Sequence, residues 1–268
     1  MKVSYNIFLF LLHQRTIYDI IKFEKRGAAM RYFTKEFYDV TMQSSCLGCA
    51  LNVDERAETF SNSFYKMLYK ESKDEFIAHI KTIYKDLDSV ELGKRFDALC
   101  RSSKKKFERL LPKDIIEKVT DIRVLALKCC SASVKSLIED YSKKQDDVVT
   151  KTFEDYKANM EKQFNNDFPD WLDKFWFHDF TVLSARKLHT NYVINFDIDE
   201  TDDWSVRKIT LKNAKIIKKE GRISGYDWKY DEIYKTDEGY EIHVLLHGKK
   251  LSELIISCDD VILDKKHN

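Results

Sequence analysis

Proline and glycine are scarce in this chain, with two prolines and seven glycines among 268 residues. Turns that need positive φ are correspondingly few, and helices and strands can run long without interruption. The scarcity also excludes glycine-rich phosphate cradles. Neither GxGxxG nor the GxxxxGK[ST] loop of nucleotide-binding proteins occurs. An excess of one charge is missing too, since 46 Lys and Arg face 45 Asp and Glu. Nucleic-acid binders carry a basic surplus or stripe, so no nucleic-acid partner is expected. The run Lys104-Lys105-Lys106 falls in a helical pattern and reads as a solvated face.

Long apolar runs are absent as well. Residues 7–12 are apolar, but His13, Gln14 and Arg15 end the stretch well short of a bilayer's thickness. No small-residue cleavage site follows, so neither a membrane span nor a signal peptide is expected. The six cysteines are then reduced thiols of a cytoplasmic protein. Lys25-Arg26-Gly27 can be encoded by a purine-rich run resembling a ribosome-binding site, and two alanine codons separate it from Met30. The expectation is that native translation starts at Met30 and that residues 1–29 are a mis-annotated upstream extension, to be left out of fold reasoning.

What the chain does have is core material: 43% hydrophobic and 13% aromatic residues, enough for one large domain or two small ones. Its rhythm changes near Pro169. Before it, apolar residues recur every three or four positions. Phe60, Phe64, Met67 and Leu68 share one helix face, as do Phe76, Ile80, Ile83, Tyr84 and Leu87. Ser72-Lys73-Asp74-Glu75 reads as a capping box that opens the second of these helices. A helix bearing Leu92, Phe96, Leu99, Phe107 and Leu110 ends before Pro112, which starts the next. Residues 121–131 fit a helix turn or a short strand, and residues 133–141 and 148–164 read as two further helices. Six or seven helices are expected over residues 30–168.

After Pro169 the period becomes two. Trp171, Phe175, Trp176, Phe177 and Phe180 form a dense aromatic cluster, expected to join the two halves. Tyr192, Ile194, Phe196 and Ile198 alternate, as do Ile209 with Leu211, and Ala214 with Ile216. The parity shift at Lys212-Asn213 predicts a bulge or sharp bend. Tyr240, Ile242, Val244 and Leu246 form a strand joined by Asp237-Glu238-Gly239 to a strand at 228–234. Leu254, Ile256 and Cys258 form the last. The fold class is therefore α+β, with a helical N-terminal half packed on a C-terminal antiparallel sheet over residues 169–268.

Four motifs invite chemistry. Asp197 and Asp199 lie in an apolar strand followed by DxDxT, the pattern of a magnesium-dependent phosphohydrolase of haloacid-dehalogenase type, with the first aspartate as nucleophile and the second as acid/base. The pair Asp259-Asp260 resembles that family's distal acidic residues. That fold needs parallel strands with helical crossovers, and only hairpins fit between Asp199 and Asp259, so an acidic turn over 197–203 is the plainer reading. Cys46-Leu-Gly-Cys49 is a CxxC, either half a zinc site or a redox pair. Its only clustered companions are the adjacent Cys129-Cys130, and incidental cysteines are the simpler account. His178-Asp179 lacks the further ligands of a metal phosphohydrolase. Glu241, His243 and His247 share a strand face, but the two histidines stand about 13 Å apart and read as solvated. No catalytic residue, metal site or cofactor is assigned.

Met30-Arg-Tyr-Phe-Thr-Lys-Glu resembles the opening of an uncharacterised bacterial domain-of-unknown-function family with a helical N-terminal half and a C-terminal β domain. Trp228-Lys-Tyr-Asp-Glu-Ile-Tyr and Gly239-Tyr-Glu-Ile-His-Val-Leu-Leu resemble its C-terminal half. The resemblance spans Met30 to about Leu263 and implies no known activity. The β part is similar in style to small domains of toxin-immunity proteins. A non-catalytic protein-interaction role, immunity-like in form, is the resulting expectation, with another protein as partner and Trp228, Tyr230 and Tyr234 as contact residues.

Overall fold

A computed structural model describes residues 29–46, 51–198 and 206–265. Residues 1–28 of the upstream extension expected at 1–29, Cys49 of the CxxC, and Asp199 with residues 200–203 of the expected acidic turn lie outside the described residues. The chain divides into two compact units, Glu36–Glu154 and a second made of the segment up to Lys35 together with everything from Asp155 onward.

The first unit is helical. It contains α1 (Lys35–Cys46, all but its first residue), α2 (Asn62–Ile83), α3 (Ser89–Leu110), the short α4 (Lys113–Ile116) and α5 (Ile122–Ala126), and the greater part of α6 (Ala132–Phe164). Ser61 caps α2 by accepting from the Phe64 N–H, and Asp88 caps α3 by accepting from Glu91. The expected helix start at Ser72 is not there. With no proline or glycine to break it, α2 runs unbroken through Ser72-Lys73-Asp74-Glu75, and Phe76 packs on Phe96 of α3 at 5.6 Å between ring centroids. Likewise 133–141 and 148–164 are one helix, because the polar stretch between them carries no breaker.

Residues 121–131 hold both alternatives in turn: α5, then the two-residue β2 (Cys129–Cys130), which pairs in parallel with β1 (Asn52–Val53). Phe107, Leu110, Leu125, Cys130 and Ile138 form one buried cluster, while Phe64, Val124 and Cys129 form another. Burial pushes the Cys130 thiol up to about 11, so the adjacent cysteines are core thiols.

The second unit is an eight-stranded antiparallel sheet in the order β10-β5-β4-β3-β7-β8-β9-β6. Its strands are β3 (Thr181–Leu188), β4 (Asn191–Asp197), β5 (Val206–Lys212), β6 (Lys215–Lys219), β7 (Asp227–Thr236), β8 (Gly239–His247), β9 (Leu251–Cys258) and β10 (Asp260–Lys265). The two ends of that order are joined by the chain itself. β6 continues β5 beyond a corner at Asn213, whose φ is 48°, and β10 continues β9 beyond Asp259. Lys212 pairs with Asp260 on one side of the corner and Lys215 with Ser257 on the other. The sheet thus closes on itself, and the bend expected from the parity shift at Lys212-Asn213 is the corner that closes it.

Inside lie Val182, Ile194, Phe196, Ile209, Trp228, Ile242, Val244, Leu254 and Ile256. Met160 and Phe164, from the end of α6, belong to the same core, which is why the compact unit takes in the helix from Asp155. The aromatic cluster after Pro169 also packs here. Phe177 stacks on Phe196 at 4.7 Å and touches Trp228 at 5.4 Å. The strands around Asp197 are antiparallel: β4 pairs with β3 on one side and β5 on the other. The parallel, crossover-connected frame that the phosphohydrolase reading requires is therefore contradicted.

Candidate functional site

The chain from Phe175 to Phe180 crosses the sheet unit's surface beside the start of β7. It is tied there by N–H donation from Asp179 to the Trp228 carbonyl (2.7 Å) and from Trp228 to the Phe180 carbonyl (2.9 Å). Asp179 takes φ 68°, a conformation aspartate tolerates. Burial alternates along this stretch. Phe175 and Phe177 are buried, Phe177 at 1% exposure, whereas Trp176 between them is 75% exposed. His178, next on the outward side, meets the ring of Tyr230 edge-on at 5.5 Å and lies 3.2 Å from the Asp179 carboxylate. Asp179 also takes an ion pair from Lys229. Burial would raise the Asp179 carboxyl, but the Lys229 and His178 contacts outweigh it and hold the group below the ordinary aspartate range. His178 and Tyr230 thus meet at the surface with an ion pair beside them, and Trp176 stands exposed two residues before His178, between phenylalanines of a close-packed aromatic floor.

A second polar cluster lies farther along β7 and β8, on the face that Tyr230 shares. Glu232 is fully buried at 0% exposure. Its carboxylate accepts from the N–H groups of Arg31 (2.8 Å), Tyr32 (2.7 Å) and Phe33 (2.6 Å), and from the Tyr234 hydroxyl (2.6 Å). Three successive backbone donors converging on one anion form a nest, here filled by the protein's own side chain. Across the strand pair, His243 is 1% exposed and its Nε2 lies 2.5 Å from Glu241 Oε1. The expectation of a solvated face is thus corrected for His243, which is buried, while Glu241 and His247 are half-buried. The hydrogen bond to His243 lowers the Glu241 carboxyl against the opposing effect of burial.

Farther along the same face, Lys35 bonds Glu220 at 2.7 Å, and Lys218 bonds Glu253 at 2.8 Å and Glu220 at 3.3 Å. Burial would raise Glu220, but the bonds from Lys35, from the Glu253 N–H and from Lys218 prevail and hold it at about 2. The buried Glu232 carboxylate and the partly exposed Lys35–Glu220–Lys218 group are both fitted to hold segment 30–35 in place.

The residues singled out in the sequence fall in different places. Trp228 and Tyr234 are interior. Trp228 gives its indole N–H to Asp231 at 2.9 Å and belongs to the aromatic floor, and Tyr234 serves the Glu232 nest. Tyr230 is half-buried and packs against Phe33 as well as His178. Asp197 ends β4 as an exposed residue, and Asp260 is paired with Lys212. Trp176, expected in the packing cluster, is instead exposed. Its signal was an indole placed between two phenylalanines, where alternating burial must turn one ring outward. Among the described residues, no three His, Cys, Asp or Glu side chains are grouped to hold a metal ion, and no helix is long and apolar enough to cross a membrane.

No curated protein and no solved structure matches the chain. The family model described as "Protein of unknown function (DUF4085)" matches residues 60–257, from the start of α2 to the end of β9, which is most of the chain. The protein belongs to the DUF4085 family.

Proposed function

We propose that this protein acts by binding another protein, without chemistry of its own, and that Trp176 with His178 and Tyr230 is the contact surface. The observation that carries this reading is Trp176: an indole three-quarters in water, anchored between two buried phenylalanines. Exposing an indole is unfavourable, and surface tryptophans on a firm support are the side chains that most often dominate binding energy. The neighbouring Asp179–Lys229 pair supplies the polar rim such a contact needs. An immunity-like role, in which the partner is a toxin blocked by being covered, is the form of this reading suggested by the architecture of the β unit.

The test is affinity capture from the source organism with wild type and Trp176→Ala as baits. One partner recovered in stoichiometric amount by wild type and lost by the variant supports the reading. Recovery of no partner by wild type, or equal recovery by both baits, overturns it.

A further inference from the structure

β3 is paired along its whole length with β4 but meets β7 at a single residue pair, Thr181 with Asp227. Backbone bonds toward β7 go no further than Val182, which donates to Tyr226 (2.8 Å) and accepts from Gly225 (2.7 Å). Among the described residues, no backbone bond continues that ladder along 183–188. The facing edge of β7 is closed in another way: the Ile233 N–H donates to the Tyr156 hydroxyl at 2.8 Å and the Lys235 N–H to Gln163 at 3.2 Å, both from the end of α6. Of the two edges that part after Thr181, the one on β7 is thus covered by side chains and the one on β3 is open.

The open edge has a definite chemistry. Leu183 is 61% exposed and Leu188 is exposed as well. Arg186 and Lys187 are exposed and, among the described residues, take part in no ion pair. We infer that the edge of β3 over residues 183–188 accepts an extended, acidic segment of another protein as an added strand. Free main-chain donors and acceptors on a strand edge are a template for strand addition, and the flanking side chains select the occupant. Arg186 and Lys187 disfavour a second copy of this chain, because edge-to-edge pairing sets like charges across the new ladder. They favour Asp and Glu opposite them, with an apolar residue to meet Leu183 or Leu188. The inference shares with the proposed function only the premise that the partner is a protein, and it uses a different surface.

Photo-crosslinking from within the full-length chain tests both premises separately. A photoreactive phenylalanine analogue is placed at Leu188 in one variant and at Trp176 in another, each expressed in the source organism, and the crosslinked peptides are sequenced. The captured segment is then synthesised and added to the full chain. The expected result is capture at position 188 of an acidic, extended segment, whose peptide slows amide exchange of 184–188 by about tenfold or more and binds about tenfold more weakly to Arg186→Glu/Lys187→Glu. The exchange measurement uses the wild-type surface and holds whether or not the charge-reversed variant folds. Capture of another copy of this chain, or a captured peptide that binds without slowing those amides, overturns the inference. Capture at 176 with none at 188 defeats the edge alone, and capture at neither position removes the proposed function with it.

Discussion

The N–H of Phe33 donates to Glu232 Oε1 at 2.6 Å across 199 residues of sequence. Together with the donors of Arg31 and Tyr32 it makes a buried carboxylate the fixing point for segment 30–33. Glu232→Gln removes the charge and turns a donor toward amides that are themselves donors. The expected loss is about 3 kcal/mol in urea denaturation, with faster exchange at the amides of Arg31, Tyr32 and Phe33. Tyr234→Phe withdraws one donor of four and costs about 1 kcal/mol. Equal stability of Glu232→Gln and wild type would contradict the clamp.

Asp231 gives a pH signature. It sits in packed surroundings although part of the residue reaches the surface, and desolvation raises its carboxyl to about 7. The Trp228 indole N–H opposes the rise and the neighbouring Glu232 adds to it. The native state therefore holds this proton where the unfolded chain has lost it. Stability from this site is present below the ordinary aspartate range and is lost as pH climbs toward 7. Asp231→Asn keeps an acceptor for the indole and removes the titration. Its Tm relative to wild type is expected to rise steadily from about pH 4 to about pH 7.5 in scanning fluorimetry. A pH-independent difference would contradict the assignment.

Glu220 behaves in the opposite sense. Held at about 2 by Lys35, the Glu253 N–H and Lys218 against the cost of burial, it stabilises the fold above the ordinary glutamate range. That contribution is lost as pH falls through about 2. These side chains are roughly a third exposed, so solvent screening reduces the gain, and Glu220→Gln is expected to cost on the order of 1 kcal/mol at pH 7. The difference should be much smaller at pH 2 than at pH 7, as read by denaturant titration at the two pH values.

Trp176 and Phe177 separate contact from core. Phe177→Ala empties a site packed by Phe175, Phe180, Phe196 and Trp228 and is expected to cost about 3–5 kcal/mol. Trp176→Ala removes an indole that is mostly in water and should change stability by less than about 0.5 kcal/mol. Comparable destabilisation by the two would place Trp176 in the core.

The division into helices and antiparallel strands was legible because period 3.6 and period 2 are local properties, and the corner at Asn213 was legible because a bend flips side-chain parity. β3 was not. As a strand left open along one edge it buries Val182 and exposes 186–188, leaving no alternation to read. The inner start at Ser72 was misread because a capping box is a local preference that a continuous apolar stripe overrides. The polar face at Glu241 and His243 looked solvated because Glu241, His243 and His247 recur on it, although Leu245 between them is apolar and buried. What buries it lies outside that strand: Glu232 and Tyr234 on the paired strand, and segment 30–35 some 200 residues earlier. The exposure of Trp176 was not legible, because spacing alone does not say which member of an aromatic run faces water.

The proposed protein contact is centred on Trp176. Its most direct test is the dissociation constant of the captured partner for wild type and for Trp176→Ala, measured by titration calorimetry at matched fold stability. The expected loss is at least about 2 kcal/mol, a factor of roughly thirty in Kd, with Tm unchanged. An unchanged Kd would contradict it.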